Sequence, residues 1–100
     1  MTRKLIVAAA VACAALPSHG QESPAARSLA ATCAACHGSE GRSATQEAVS
    51  LAGLPREQIV SQMRAFRDGT RASTIMQQIA KGYSDQQIDV IADYFARRPR

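Results

Sequence analysis

Apolar residues recur at helical spacing in this chain, and no stretch alternates apolar and polar residues as a strand does. Ser23 is predicted to cap a first helix, with Pro24 at its first position. Leu29, Cys33 and Cys36 follow at positions i, i+4 and i+7. We therefore expect one helix that presents both cysteines in the same direction.

A second helix is predicted to begin at Pro55 and to stop at Gly69. Ile59, Met63 and Phe66 repeat at i, i+4 and i+7 within it and form its apolar face. This pattern is typical of a helix that packs against a core.

The last helix is predicted to begin at Ser84, with Gln87 completing a capping box. Its apolar face holds Ile88, Ile91, Ala92 and Phe95. Residues 38–54 have no clear period and are interpreted as a loop with a turn of helix, and a short helical turn is expected to end near Gly82. The predicted fold is all-α and fits in one domain.

Residues 1–20 have the pattern of a secretory signal peptide: a basic start, a short apolar run and small residues at the cleavage site. Cleavage after Gly20 would leave residues 21–100 as a single exported domain. A minor alternative is a lipoprotein processing site, at which Cys13 would be acylated and retained.

The charge does not favour a nucleic-acid partner. The whole chain has a formal charge of +4, but without Arg3 and Lys4 ten Lys and Arg remain against eight Asp and Glu, which gives +2. The basic cluster 97–100 is interpreted as a helix end favoured by the dipole or as a docking tail. With four aromatic residues and no Trp, the chain is short of bulky core side chains, so a cofactor or partner is expected.

Cys33, Cys36 and His37 form the motif that carries chemistry. Two thiols at this spacing can each bond to a vinyl group of haem, and the adjacent imidazole can then bind the iron. A redox-active pair belongs on a βαβ frame, and a structural disulfide would not explain His37. Zinc would need further ligands, and residues 21–100 hold no other Cys or His. The motif favours one covalent haem c, with a disulfide as the alternative.

Iron bound by one histidine needs a sixth ligand, and two methionines are candidates. Met63 lies in phase with Ile59 and Phe66, which favours a core position. Met76 follows a polar stretch and is expected in a loop that could pass across the other haem face. Met76 is therefore the favoured ligand, and an open site without a sixth ligand remains a further alternative.

Over residues 27–97 the chain resembles small class I bacterial c-type cytochromes. The residues that carry the resemblance are Cys33–Gly38 with Gly41, Leu51–Gly53, Gln62–Gly69 with Arg71, and Met76. The segment 71–85 looks most like the cytochrome subunit of flavocytochrome c sulfide dehydrogenase. The resemblance implies a small class I cytochrome c fold, with three main helices wrapped around one covalent haem.

The resemblance also implies a role for each matched position. Cys33 and Cys36 would form the thioether bonds, His37 would be the proximal iron ligand and Met76 the distal one. Arg71 would pair with a haem propionate, although an ordinary solvated charge explains it equally well.

Two positions depart from the pattern of the family. Members of the family usually have a proline that helps to position a carbonyl for the proximal histidine, and Val49 stands in its place. Gln58 replaces a tyrosine common early in the following helix. Both departures bear on the surroundings of the iron rather than on its ligands. The first helix is expected to cross the last, with Leu29 on a surface formed by Ile91, Tyr94 and Phe95.

The implied function is one-electron transfer between periplasmic partners, because His/Met ligation raises the potential and occupies both axial positions. The first hypothesis is a subunit of a sulfide-oxidising flavoprotein complex, in which the cytochrome is not itself catalytic. The second is a free shuttle to an oxidase or reductase. The third is a small haem enzyme with an open distal side. An apolar loop over residues 44–54 would suit a permanent partner.

Overall fold

The computed structural model describes residues 6–14 and 22–100, and in these residues every regular element is helical. The helices are α1 (Pro24–Ala31), α2 (Ala34–His37), α3 (Arg56–Asp68), α4 (Met76–Ala80) and α5 (Asp85–Ala96), with a 3₁₀ turn at Ser39–Gly41. The three main helices are α1, α3 and α5, so the predicted all-α class with three main helices is confirmed.

Most of the predicted signal peptide lies outside the described residues. These exclude residues 1–5 and 15–21 and so the cleavage position after Gly20, and the signal peptide stays a prediction. In the stretch 6–14 the chain has no regular structure, and Cys13 is exposed. No helix in the described part of the chain is long and apolar enough to cross a membrane.

Helix α1 begins where the sequence predicts. The Ser23 hydroxyl accepts a hydrogen bond from the Ala26 N–H at 3.1 Å, and Pro24 occupies the first helical position. Pro24 costs nothing there, because the first N–H groups of a helix have no partner within the helix.

The helix ends earlier than predicted, at a break around Thr32 and Cys33. The Thr32 hydroxyl donates to the Leu29 carbonyl at 2.7 Å. In a continuous α-helix that carbonyl would accept the Cys33 N–H, which instead bonds to the Ala30 carbonyl at 3.0 Å. The prediction of one helix carrying both cysteines was therefore wrong: Cys33 precedes α2, and Cys36 lies within it.

Helix α3 matches its prediction closely. Pro55 precedes its first residue, and Gly69 ends it in the left-handed conformation with φ of 79°. Ile59 and Met63 are buried on the face that meets the core, whereas Phe66 is partly buried at its edge.

Met76 is the first residue of α4 and not, as predicted, a loop residue. The Ser73 hydroxyl accepts the N–H of Gln77 at 2.8 Å and so satisfies one of the free donors at the start of this short helix. The predicted helical turn before Gly82 is present, and its helical part ends at Ala80.

Helix α5 begins with the predicted capping box. Ser84 accepts the Gln87 N–H at 3.2 Å, and the Gln87 side chain accepts the Ser84 N–H at 2.9 Å. As the resemblance implies, α1 packs on α5, but the buried α1 residue is Ala30, with Leu29 partly buried. The core cluster comprises Ala30, Ile59, Val60, Met63, Ala80, Ile88, Ile91, Ala92, Tyr94 and Phe95.

The loop after α2 is folded back onto α5, and Gly41 is central to this contact. Its carbonyl accepts N–H groups from Leu51 at 2.7 Å and Ala52 at 3.1 Å. Its φ is 80°, and a Cβ atom there would lie 2.6 Å from the Phe95 ring. Only glycine meets both conditions. This packing brings the second half of the loop back towards α2.

Charged side chains link α3 to α5. Arg67 contacts Asp85 at 2.7 Å, and Arg64 lies 3.6 Å from both Asp85 and Asp89. Arg56 reaches Asp89 at 3.5 Å. The Arg67 guanidinium beside Asp85 holds the pKa of that carboxyl below its usual range and raises the pKa of Arg67 itself.

We expect Asp85→Asn to lower the free energy of unfolding at neutral pH by a modest amount, because Asp85 is solvent-exposed and Arg67 is only partly buried. The pKa of Asp85 is lower in the folded state. The stabilisation is therefore present above the unfolded pKa of about 4 and is lost as the pH falls through the folded value. Urea denaturation across this range should show the variant and the wild type converging in acid.

Asp93→Asn is the matched control, since Asp93 pairs with Arg97 of its own helical segment at 3.0 Å and does not link α5 to α3. It should change the stability less at neutral pH. A deficit of Asp85→Asn that persists unchanged in acid would contradict the assigned ion pair.

Candidate haem-binding site

The two motif cysteines lie on either side of the start of α2. Cys33 is partly buried against the core cluster, Cys36 is exposed, and both thiols are free. Burial raises the pKa of the Cys33 thiol, its hydrogen bond with Thr32 opposes that shift, and the charge of Cys36 adds to it. Burial thus favours the neutral form of the Cys33 thiol, which lies beside the apolar core cluster.

His37 is the last residue of α2, and its ring is held by the loop that follows. Its Nδ1 atom lies 2.7 Å from the Val49 carbonyl oxygen. A carbonyl can only accept, so Nδ1 carries a proton, and in the neutral ring the lone pair that could bind a metal is on Nε2. Gly38 lets the chain turn away directly, with φ of 86°, where a Cβ atom would overlap the Arg42 carbonyl.

Val49 therefore supplies the carbonyl without the proline that the family resemblance leads one to expect at this position. Hydrogen bonds within the loop hold it instead: the Ser43 N–H donates to the Ser50 hydroxyl at 2.9 Å, and the Leu51 N–H donates to Gly41. The orientation of His37 thus survives this departure from the family pattern. The second departure, Gln58, is exposed near the start of α3.

The two candidate methionines occupy different environments. Met63 is 8% exposed inside the core cluster, as its position in the helical pattern predicts. Met76 is partly buried and packs against the edge of that cluster. Met76 is thus the methionine whose side chain is not enclosed by the protein core.

Arg71 lies exposed in the turn after α3. Its guanidinium stacks over the Phe66 ring, 4.8 Å from the ring centroid. The backbone N–H of Arg71 donates to the Ala65 carbonyl. This stacking orients the Arg71 side chain, and the N–H groups at the edge of the guanidinium can still donate to an anion.

The basic cluster at residues 97–100 is engaged within the chain rather than extended as a docking tail. Arg98 pairs with Glu22 and stacks over the Tyr94 ring at 4.4 Å. Arg100 donates to the Gly53 carbonyl at 3.3 Å. These contacts tie the segment before α1 and the end of the loop to α5, a role that charge alone did not reveal.

Thr32 and Tyr83 were not identified from the sequence, although they are linked beside the motif. Their side-chain oxygens lie 2.7 Å apart across 51 residues of sequence. The only signal in the sequence is that a hydroxyl residue immediately precedes Cys33.

The residues present fit a covalent haem. One free thiol precedes α2 and the other lies within it, and His37 directly follows the second. The Nε2 atom of His37 is not used by the Val49 contact, and the core beside Cys33 is apolar. Cys33 and Cys36 would attach the edge of the haem covalently, and His37 would bind the iron.

Similarity to known proteins also supports a covalent haem. The sequence profile of the Cytochrome c family matches residues 23–97. The cytochrome subunit of sulfide dehydrogenase from Chlorobaculum tepidum is 40% identical over 67 residues, which cover 67% of this chain and 60% of that protein. A thiosulfate dehydrogenase electron acceptor from Thiomonas intermedia is 38% identical over 69 residues, 68% of this chain and 32% of that protein.

A third relative is similar in length to the matched region. Cytochrome c-554(548) from Halomonas halodenitrificans is 35% identical over 68 residues, covering 65% of this chain and 82% of that protein. The chain spans less than two thirds of the length of the first two relatives. The family match covers the three main helices and the motif together. The chain therefore belongs to the cytochrome c family, a family of electron carriers with covalently bound haem c.

Proposed function

We propose that this cytochrome c is the electron-transferring subunit of a flavocytochrome c sulfide dehydrogenase outside the cytoplasm. The observation that carries the proposal is the 40% identity over 67 residues to the cytochrome subunit of sulfide dehydrogenase from Chlorobaculum tepidum. In this function the chain accepts electrons from a flavoprotein partner that oxidises sulfide, and it does not itself react with the substrate.

The proposed iron ligands are His37 and Met76. The haem iron supplies the one-electron ferric–ferrous couple. The Val49 carbonyl fixes the His37 ring and increases the basicity of its free nitrogen. Met76, at the start of α4 and outside the enclosed core, would supply a thioether ligand to the iron and so raise its reduction potential.

Arg71 is proposed to pair with a haem propionate. Its stacking on Phe66 fixes the side chain beside the end of α3, and the planar guanidinium can bind a carboxylate with two parallel hydrogen bonds. The cation would hold the propionate as an anion next to the apolar core.

Exposed apolar side chains next to the proposed ligands favour a stable partner. Val49, whose carbonyl holds His37, is 64% exposed, and Ile75, which precedes Met76, is 57% exposed. Val49 belongs to the loop 44–54 that the sequence indicates as a partner surface. A long-lived complex would cover such side chains, whereas a transient carrier relies on a charged rim.

A free shuttle is the second candidate function. It is favoured by the similarity to a thiosulfate dehydrogenase electron acceptor and to cytochrome c-554(548), the latter matched over 82% of its length. In both functions the chain is exported, with residues 1–20 as signal peptide or, as a minor alternative, Cys13 as a lipid anchor.

Gentle purification of the tagged protein from its native host tests the proposal, with the native mass and the absorption spectrum recorded on the same fraction. We expect a complex that contains flavin and covalent haem, in which sulfide reduces the haem. A cytochrome monomer with haem and no flavin would favour the shuttle. A purified chain without covalent haem would contradict both functions.

Surface variants sharpen this test. Val49→Ser and Ile75→Ser should loosen the complex and slow haem reduction by sulfide without changing the haem spectrum. Val90→Ser is the matched control, because Val90 is a 38% exposed residue on the outer face of α5. Equal effects of all three substitutions would argue against an interface beside the proposed ligands.

A further inference from the structure

A chain of hydrogen bonds connects the segment after Met76 to the residue before Cys33. Thr32 Oγ1 lies 2.7 Å from the Leu29 carbonyl oxygen and 2.7 Å from the Tyr83 hydroxyl. Thr32 Oγ1 also lies 3.9 Å from Cys33 Sγ. One threonine hydroxyl therefore joins the end of α1, the haem motif and the α4–α5 loop.

The direction of these bonds follows from the donors available. The Leu29 carbonyl can only accept, so the single Thr32 proton is donated to it. Tyr83 must then donate its own proton to Thr32 Oγ1. Both hydroxyl protons are used, and the geometry is fixed at both ends.

Tyr83 lies at the end of the segment 70–83, which carries Met76. At its start this segment is attached to α3, where the N–H groups of Thr70 and Arg71 both bond to the Ala65 carbonyl. At its end the Tyr83 ring packs against the core cluster and its hydroxyl reaches Thr32. Within residues 22–100, this is the hydrogen bond that connects the segment 70–83 to the segment 29–37.

We propose that Tyr83 is a positioning residue: its hydrogen bond to Thr32 holds the Met76 segment against the haem attachment point and so resists displacement of Met76 from the iron. This inference rests on the His37/Met76 ligation proposed above. Loss of the bond would remove the hydrogen-bonded link to Thr32 at this end of the segment while leaving the apolar contact of the ring in place. Met76 would then dissociate from the iron more readily.

Imidazole titration of the ferric holoprotein tests the proposal, because imidazole binds iron only when it displaces the distal ligand. Tyr83→Phe should raise the apparent association constant of imidazole about fivefold, which corresponds to one neutral hydrogen bond. Thr32→Val should give the same increase, and the double variant should add nothing further. Thr32→Ser, which keeps the hydroxyl, should restore the wild-type value.

Tyr94→Phe is the matched control, since the Tyr94 ring packs on Phe95 and Arg98 within α5 and its end. It should leave imidazole binding unchanged. Lower resistance to urea without a change in imidazole binding would show that Tyr83 is only structural and would overturn the proposal, as would additive effects of the Tyr83 and Thr32 substitutions.

The wild-type spectrum separates this inference from the ligation on which it rests. A ferric wild type without the long-wavelength sulfur-to-iron absorption contradicts both. A wild type that has this absorption, together with unchanged imidazole binding in Tyr83→Phe, contradicts the positioning role alone.

Discussion

Replacement of Met76 by alanine is expected to abolish the sulfur-to-iron absorption of the ferric protein and to lower its reduction potential. A thioether ligand stabilises ferrous iron relative to ferric iron, so its loss shifts the couple downward. We expect a fall on the order of 0.1 V, within the roughly 0.8 V range that axial ligands cover. A potentiometric titration followed by absorption would measure both changes, with a high-spin ferric spectrum expected in the variant.

Met63→Leu is the matched control for this substitution. Met63 is enclosed in the core cluster, and leucine has a similar volume, so the cost in stability should be below about 1.5 kcal/mol. The absorption and the potential should stay at their wild-type values. If Met63→Leu removes the sulfur band and Met76→Ala keeps it, the ligand assignment is reversed.

The wild type also distinguishes an electron carrier from a haem enzyme with an open distal side. With Met76 on the iron, cyanide or carbon monoxide can bind only by displacing the thioether. Binding of either ligand while the sulfur absorption persists would mean that Met76 is not the sixth ligand. An open-site enzyme would then replace the electron carrier as the better explanation.

The helix boundaries that the sequence predicts correctly are those set by neighbouring residues. Ser23 with Pro24 starts α1, Ser84 with Gln87 starts α5, and Gly69 ends α3. Each signal is a contact over at most five positions, so the residues that make it can be seen together in the sequence. The CxxCH motif was found for the same reason.

The break at Cys33 shows where periodicity fails. Leu29, Cys33 and Cys36 do fit a helical face, but a side chain decides the outcome. The Thr32 hydroxyl bonds to the Leu29 carbonyl, and the Cys33 N–H, which a continuing helix would direct to that carbonyl, bonds to Ala30 instead. Hydrophobic spacing contains no information about that competition.

The remaining parts of the site depend on contacts between distant residues. The Val49 carbonyl reaches His37 because the loop returns to Gly41, and Tyr83 reaches Thr32 across 51 residues. Loop closure of this kind depends on packing against α5, which no local pattern encodes. The resemblance to the family anticipated the carbonyl and left its position in doubt, because the proline is missing.

The core explains why the cofactor should be needed for folding. Four of the eleven buried hydrophobic residues are alanines, and the largest fully buried side chains are Phe95, Ile88 and Ile91. In a domain of this size the hydrophobic core rarely contributes more than about 3–5 kcal/mol to the free energy of unfolding. Met76, Leu29 and Cys33 pack only partly against the cluster, so apolar surface remains beside the motif.

We therefore expect the chain without haem to be poorly folded. The covalent haem adds a large apolar disc next to Cys33, and its two thioether bonds restrict the unfolded chain. Haem-free Cys33→Ala/Cys36→Ala protein should show a broad, non-cooperative urea transition by far-ultraviolet circular dichroism and little dispersion in its amide NMR spectrum. The single variant Cys33→Ala, which retains one thioether bond and His37, should unfold cooperatively at a lower urea concentration than the wild type. A steep transition in the haem-free double variant would mean that α1, α3 and α5 form a sufficient core by themselves. The haem would then bind to a protein that is already folded and would not be required for folding.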